Sequence, residues 1–282
     1  MAAEPVEFAA RDGLQIGGTL FRASAPAARA VQVQAAAGVP QEYYAKFAAY
    51  LASRGFTVLT FDYRGIGRSR AGALRGLRAH MRDWALLDAA GGLDLLSQVA
   101  PAARQLIVGH SFGGVCTALL PQAPEIAAVL MVGSQSGYWR HWPPLARCGM
   151  WLATHAVLPF VPRLLGYFPS SRLGFGEDLP AGVAIEWASW CRHPRYLVGA
   201  LGAQDRFARF NAPLRAIAAT DDAFAPPRAA RALLDLYPSA RSELRQVAPR
   251  DAGAKRIGHF GYFRERFRDT LWREAADWLA LQ

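Results

Sequence analysis

One serine in the sequence has the neighbours that a nucleophile at a tight turn requires. Ser111 follows the apolar run 105–108 and lies between Gly109 and Gly113, with the spacing G-x-S-x-G. This order predicts a strand, a sharp turn and a helix, and the small flanking residues avoid steric clashes at the turn. The hydroxyl is then exposed at the carboxyl end of a strand, beside the N–H groups that begin the helix. Such a place suits a nucleophile that attacks a carbonyl and generates an oxyanion.

A serine hydroxyl is a weak nucleophile, so it needs a base, and the base needs a carboxylate that fixes its tautomer. In a sheet of this kind those partners follow at later strand ends, in the order Ser, acid, His. Asp221 and Asp222 end a predicted strand after Ser111, and His259 lies in a glycine-flanked loop near the C-terminus. We therefore predict that Ser111 is the nucleophile and His259 the base, with the acid open between the two aspartates.

The elements that must position these residues are alternating strands and helices. Two antiparallel strands are predicted at 6–10 and 14–22. Further strands are predicted at 30–35, 56–61, 105–108, 126–133, 213–219 and 243–247, and helices at 41–54, 81–99, 115–120, 227–236 and 267–281. The continuous apolar strands are typical of parallel sheets that are covered on both faces. The alternation predicts an α/β fold with a doubly wound, mostly parallel sheet.

This alternation stops between residues 134 and 211, where five tryptophans occur and no strand is predicted. We predict that residues 134–211 form a helical cap, inserted into a core domain made of residues 1–133 and 212–282. Six aromatic cap residues could line an apolar pocket or pack the cap onto the core, and they are Tyr138, Trp139, Trp142, Trp151, Trp187 and Trp190. Of these, Tyr138, Trp139 and Trp142 are the candidates for binding the substrate.

One part of the cap, residues 148–168, is apolar enough to raise the question of a membrane span. Pro159 and Pro162 would break the backbone hydrogen bonds that a lipid-exposed helix needs. The favoured interpretation is a lid that packs over the pocket. The alternative is a weak peripheral contact of the cap with a membrane.

The composition argues against several other classes of function. The formal net charge is +10, but there is no long basic run or base-reading motif, so we expect no nucleic-acid partner. The three cysteines, Cys116, Cys148 and Cys191, form no metal pattern and no disulfide framework, which fits a reducing compartment. The N-terminal segment lacks the features of a signal peptide, so we expect a cytoplasmic protein. The predicted chemistry uses no metal and no cofactor.

Four stretches of the chain carry a resemblance to the α/β-hydrolase superfamily: the elbow 109–113, the glycine-rich loop 62–69, the acid segment 222–226 and His259. Segments 38–41, 134–140, 176–180 and 257–261 resemble a bacterial branch of predicted serine hydrolases, near the serine aminopeptidases and monoglyceride lipases. The resemblance implies the α/β-hydrolase fold. It also favours Asp222 as the acid, because the family has a proline four residues after the catalytic aspartate and Pro226 has that spacing.

The oxyanion hole of such enzymes uses two backbone N–H groups. One is the N–H of the residue after the nucleophile, here Phe112. The other lies after the third strand, where the family often has His-Gly and this chain has the sequence Gln-Ala-Ala at 34–36. A backbone donor does not depend on the side chain, so Ala36 is the predicted second donor.

Three functions agree with these patterns. The predicted function is a metal-independent serine hydrolase that cleaves a small-molecule ester or thioester with an apolar acyl group. A serine aminopeptidase on the same triad would need one of the cap acids to bind the substrate amine, and these are Glu177, Asp178, Glu186 and Asp205. A non-catalytic binding protein that retains the fold is the third hypothesis, and its support is the absent His-Gly pair. The sequence does not predict the oligomeric state.

Overall fold

A mostly parallel sheet forms the centre of the protein, whose structure, a computed structural model, describes residues 3–282. Within these residues the main sheet has eight strands, in the order β1-β2-β4-β3-β5-β6-β9-β10. They are β1 (Ala3–Ala9), β2 (Gln15–Phe21), β3 (Arg29–Gln34), β4 (Thr57–Phe61), β5 (Arg104–His110), β6 (Ala128–Val132), β9 (Leu214–Ala219) and β10 (Ser242–Val247). β2 is antiparallel to β1 and β4, and the other neighbouring pairs are parallel. The predicted mostly parallel α/β fold is confirmed.

Helices cover both faces of this sheet. Every residue of β4 and β6 is buried, and successive side chains of a strand point to opposite faces, so neither face is open to solvent. The helices are α1 (Ala45–Ser53), α2 (Met81–Asp83), α3 (Ala90–Val99), α4 (Phe112–Val115), α5 (Pro144–Leu152), α6 (Leu158–Leu165), α7 (Ala181–Arg192), α8 (Tyr196–Ala200), α9 (Gln204–Arg209), α10 (Pro227–Leu234), α11 (Gly258–Gly261) and α12 (Arg273–Ala280).

Several predicted helices contain turns of different pitch. A π-helical stretch, Trp84–Ala89, joins α2 to α3 within the predicted helix 81–99. A 3₁₀ turn, Gln41–Tyr44, precedes α1, and a π-helical stretch, Arg268–Trp272, precedes α12. Each of these runs remains one continuous helical segment, as the hydrophobic spacing predicted.

The helix after the elbow is shorter than predicted. α4 has four residues, and a 3₁₀ turn, Thr117–Leu119, replaces the rest of the predicted helix 115–120. Pro121 follows and cannot continue a helix. The carbonyl of Val115 accepts a hydrogen bond from the Tyr237 hydroxyl. In a longer helix this carbonyl oxygen would have accepted a backbone N–H from the next turn.

Between β6 and β9 the chain forms α5 to α9 and a small second sheet. Its strands are β7 (Tyr167–Phe168) and β8 (Leu179–Pro180), which pair antiparallel. The expectation of no strand in residues 134–211 is therefore wrong. Two-residue strands are too short to show the alternation by which a strand is recognised in a sequence. In the described part of the chain, no helix combines the length and the apolar character that crossing a bilayer requires.

Buried charges hold the glycine-rich loop 62–69 in place. The guanidinium of Arg64 donates to Asp88 at 2.8 Å and to Asp12 at 2.8 and 2.9 Å, and the backbone N–H of Arg64 also donates to Asp88. The Asp88 side chain is fully buried. Burial raises the pKa of Asp88 to about 6, although Arg64 opposes this shift. The loop thus connects the turn between β1 and β2 to the π-helical stretch Trp84–Ala89.

Removing Arg64 should therefore destabilise the fold. We expect Arg64→Met, which keeps much of the apolar volume, to lower the free energy of unfolding by about 3–5 kcal/mol, because Asp88 loses its partner inside the protein. Denaturant unfolding measures this change. The matched control is Arg22→Met, whose partner Glu4 is exposed, and it should change the stability by about 0.5 kcal/mol or less.

The same variant has an expected pH dependence. Without Arg64 the folded-state pKa of Asp88 rises further, so the folded protein binds a proton that the unfolded chain has released. Stability is then lost as the pH rises, and the deficit of Arg64→Met should be larger at about pH 8 than at about pH 5. An equal deficit at both values would contradict the account of Asp88 as a buried carboxylate.

Candidate active site

The predicted turn at Ser111 is present in the structure and is strained. Ser111 directly follows β5 and has φ 51° and ψ −114°. A positive φ is unfavourable for a residue with a side chain, and it is a mark of functional turns. A Cβ atom at Gly109 would overlap the backbone of Gly114, and one at Gly113 would overlap the carbonyl of Gln34 on β3. The two glycines are therefore needed for the elbow to pack against the sheet.

A hydrogen-bonded histidine and aspartate lie across from this elbow. His259, in α11, has its Nδ1 2.7 Å from Oδ2 of Asp222. The other carboxylate oxygen of Asp222 accepts the N–H groups of Phe224 and Ala225, at 2.8 and 3.0 Å. The side chains of His259 and Asp222 are 6% and 1% exposed. This fixed carboxylate favours a proton on Nδ1 and leaves Nε2 of His259 as a proton acceptor.

Asp221 has a different environment from its neighbour. Its two carboxylate oxygens accept the backbone N–H groups of Ile257 and Gly258, each at 3.0 Å. Asp221 therefore holds the loop that precedes His259 and does not contact the imidazole. Of the two aspartates that the sequence left open, the structure places Asp222 against His259.

Ser111, Phe112 and His259 line one cavity of about 360 Å³. The size is that of an ordinary small-molecule site. The structure does not join Ser111 to His259 by a hydrogen bond. In enzymes without substrate such contacts are often long, and they tighten when the substrate binds.

The wall of this cavity is mostly apolar. The residues from the region between β6 and β9 are Gln135, Met150, Ala153, Thr154, Val157, Leu158, Phe168, Ser170, Leu173, Phe175, Leu179, Trp187 and Tyr196. Within the described chain, no side chain of this wall carries a carboxylate, and no group of three or more His, Cys, Asp or Glu residues is arranged to hold a metal ion. The cavity can enclose an apolar group next to Ser111.

The structure does not bring the predicted substrate-binding residues Tyr138, Trp139 and Trp142 to this wall. The Trp142 indole is buried and donates to the carbonyl of Ala223 at 3.1 Å, so it attaches the segment to the core. Tyr138 and Trp139 pack edge to face against each other. Among the tryptophans of segment 134–211, Trp187, on α7, is the one that lines the cavity. Aromatic composition did not distinguish these roles, because packing and lining residues are of the same types.

The four acidic residues of segment 134–211 also lie away from the cavity wall. Three of them have partners elsewhere. Glu177 accepts the N–H of Gly67, Asp178 accepts the Ser171 hydroxyl, and Glu186 pairs with Arg82. Asp205 lies in the first turn of α9. An amine-binding carboxylate, which an aminopeptidase would need, is not among the groups that face Ser111.

Two backbone N–H groups near Ser111 are available to an oxyanion. The N–H of Ala36 is not one of them, because it donates to the Tyr44 hydroxyl at 2.9 Å. The next residue, Ala37, also lines the cavity. The N–H groups of Ala37 and Phe112 have no acceptor within residues 3–282. The sequence of the loop after β3 did not reveal that the N–H of Ala36 is occupied and that of Ala37 is not, because the Tyr44 hydroxyl contacts Ala36 only in the folded chain.

Tyr44 and His110 connect three loops of the site. The Tyr44 hydroxyl accepts from Ala36, so its own proton points to Nδ1 of His110, 2.7 Å away. The remaining ring proton of His110 is then on Nε2, which donates to the carbonyl of His259 at 2.9 Å. Burial lowers the pKa of His110 well below its usual range and keeps the ring neutral. His110 is thus a positioning residue between the elbow, the loop after β3 and the His259 loop.

Comparisons with known proteins agree with this geometry. Residues 38–248 match the sequence profile of the family described as serine aminopeptidase, S33. Among solved structures, a soluble variant of monoglyceride lipase from Saccharomyces cerevisiae superimposes with a TM-score of 0.74 at 16% identity, covering 99% of this chain and 96% of that chain. An esterase of Pyrococcus furiosus gives 0.64 at 15% identity, covering 99% and 91%. An esterase from Thermogutta terrifontis gives 0.62 at 16% identity, covering 99% and 98%. These structures show a shared fold. No curated protein sequence matches the chain.

The hydrogen bonds of Tyr44 predict a specific defect. Tyr44→Phe leaves the N–H of Ala36 and Nδ1 of His110 without partners inside the protein. We expect the rate at which a fluorophosphonate labels Ser111 to fall by about ten-fold or more, since each unsatisfied buried group costs about 1–3 kcal/mol and the loops can shift to relieve it. Tyr50→Phe is the matched control, because the Tyr50 hydroxyl contacts Arg54 on the surface of α1. An unchanged rate in Tyr44→Phe would show that this network does not position the site.

Proposed function

The chain belongs to the serine aminopeptidase, S33, family of α/β hydrolases, and we propose that it is a serine hydrolase that cleaves esters or thioesters with an apolar acyl group. The observation that carries this proposal is the position of Ser111. It lies on a strained elbow and shares a mostly apolar cavity with a histidine that is bonded to a buried aspartate. The esterases and the monoglyceride lipase of similar fold support the choice of ester substrates.

The reaction follows from the positions of these groups. His259 Nε2 takes the proton of Ser111 as the hydroxyl oxygen bonds to the substrate carbonyl carbon. The carbonyl π electrons move to oxygen and form the tetrahedral oxyanion. When this intermediate collapses, the bond to the leaving oxygen or sulfur breaks, and His259 returns the proton to that atom. A water molecule then attacks the acyl-enzyme in the same way and releases the acid. Asp222 stabilises the imidazolium in both halves.

We place the oxyanion against the N–H groups of Phe112 and Ala37. The sequence pointed to Ala36 as the second donor, but its N–H already donates to Tyr44. Ala37 follows directly and its N–H is available at the cavity. One such donor typically contributes about 3 kcal/mol of transition-state stabilisation.

A polar group in the cavity suggests where the leaving group binds. Oε1 of Gln135 is buried without a hydrogen-bond partner in the described residues, and Gln135 lines the cavity. An unpaired buried acceptor is unfavourable until a ligand donates to it. We place a hydroxyl or amide of the substrate at Gln135 and the acyl chain along the apolar wall from Met150 to Trp187.

We further propose that residues 134–211 act as a cap on a core formed by residues 1–133 and 212–282. The support is that this segment joins β6 to β9 and supplies most of the apolar wall above Ser111. The aminopeptidase alternative has no comparable support, because none of the four acidic residues of this segment lines the cavity wall, where a carboxylate would have to bind the substrate amine.

Replacing the triad residues tests the proposed mechanism. We expect a fluorophosphonate to label the unaltered protein at Ser111, and Ser111→Ala to abolish both labelling and ester hydrolysis. Asp222→Asn should lower kcat by about 10⁴-fold, since the wrong histidine tautomer is then favoured. Circular dichroism would verify that each variant is folded.

Two results would contradict the proposal. One is a folded protein that is not labelled and does not hydrolyse acyl esters, which would favour a non-catalytic protein. The other is hydrolysis of aminoacyl-anilides with no hydrolysis of acyl esters, which would favour the peptidase.

The apolar wall predicts a dependence on acyl length. In a series of p-nitrophenyl esters we expect kcat/KM to rise by about four-fold per methylene until the cavity is filled, because a buried methylene contributes about 0.8 kcal/mol. Ala153→Phe narrows the cavity and should remove the advantage of the longer chains. Ala146→Phe, an exposed position on α5 outside the cavity wall, is the matched control. If both variants kept the same preference, the acyl chain would bind elsewhere.

A further inference from the structure

The helical run that roofs the cavity is apolar on two sides. α5, the π-helical stretch Ala153–Val157 and α6 follow one another without a break. Met150, Ala153 and Leu158 on this run line the cavity. A helix on the surface of a protein normally has mostly polar residues on its solvent side, whereas this run exposes large apolar residues beside Arg163.

Four large apolar residues occupy the outer side. Leu145, Leu152, Phe160 and Leu164 are 93%, 53%, 61% and 80% exposed, and we call them the outer ridge. They are separated by seven, eight and four residues, which are about two, two and one turns. They therefore follow one side of the helix, and none of them belongs to the cavity wall. An exposed apolar patch of this kind marks an interaction site.

The charged residues of the segment that carries the outer ridge have one sign. Residues 134–176 contain four arginines and no acidic residue. The arginines are Arg140, Arg147, Arg163 and Arg172. None of them forms an ion pair within the part of the chain that the structure describes. Apolar side chains beside unpaired arginines are what a surface of anionic lipids attracts.

A second copy of the chain fits this surface less well. In a two-fold symmetric dimer the same patch faces itself, so the four arginines would meet the four arginines of the other copy. The segment supplies no carboxylate to pair with them. Like charges that face each other across an interface oppose association.

We propose that the outer ridge docks on the surface of an anionic membrane, with the run from α5 to α6 lying in the headgroup region. Leu145, Leu152, Phe160 and Leu164 enter the interface, and the arginines contact lipid phosphates. Binding of this type is peripheral and reversible. It does not depend on the proposed hydrolase chemistry, so the two proposals are tested separately.

Flotation with vesicles tests this inference on the full chain. The probes are vesicles of phosphatidylcholine alone and vesicles with about one third phosphatidylglycerol. We expect the protein to float with the anionic vesicles and to be released by high salt. The variant Leu145→Glu with Leu164→Glu should weaken the partition by about ten-fold or more, since both apolar burial and charge attraction are lost. The matched control is Leu281→Glu, because Leu281 is 82% exposed at the end of α12 and should not alter binding.

A second variant separates charge from apolar contact. Arg163→Glu with Arg172→Glu should weaken binding to anionic vesicles by about ten-fold or more and remove its salt dependence. Thermal unfolding of each variant should match the unaltered protein, because all these side chains are exposed.

Three outcomes would overturn the proposal. They are no flotation of the native protein with anionic vesicles, an equal loss of binding in Leu281→Glu, and a native dimer in solution that Leu145→Glu with Leu164→Glu disperses. The last outcome, measured by sedimentation velocity, would assign the ridge to contacts between copies.

Discussion

The backbone of Ser111 imposes the constraint on which the rest of the site depends. Its φ of 51° is unfavourable for a serine, and such a conformation costs about 1–3 kcal/mol unless the surroundings hold it. Here β3 and β6 provide the support. Gly113 of the elbow packs on the carbonyl of Gln34, and the N–H of Ser111 donates to Val132 at 2.9 Å. Ser111 therefore reaches the cavity only if the centre of the sheet is fully assembled.

A second layer of support is made of polar groups around the elbow. Tyr44 and His110 link the loop after β3 to the His259 loop, and Asp221 holds the same loop from the other side. Tyr44 and His110 are buried, and in such surroundings a fully satisfied network is rigid and an incomplete one is costly. His259 and the loop after β3 are thus positioned by residues that do not themselves line the cavity.

The region between β6 and β9 uses its apolar residues in a different way from the core. In the core they are buried on all sides. In the run from α5 to α6 they face the cavity on one side and solvent on the other. The length of this helix and its prolines do not suit a membrane span, whereas its two apolar sides suit a roof that also rests on a lipid surface.

Local spacing in the sequence predicted the strands of the main sheet, the elbow at Ser111 and a role for His259, whereas the choice of Asp222 over Asp221 came from the family resemblance. The positions of the main strands along the chain and the G-x-S-x-G turn are short-range features, and short-range rules describe them. Three things depended on residues distant in the chain. Tyr44 occupies the N–H of Ala36, Trp187 and not Trp142 faces the cavity, and two-residue strands join 167–168 to 179–180. Whether a backbone N–H is free, and whether an aromatic ring faces a cavity, depends on residues that are distant in the chain. The sequence therefore determined which groups are present, and the tertiary structure decided which of them remain available to a substrate.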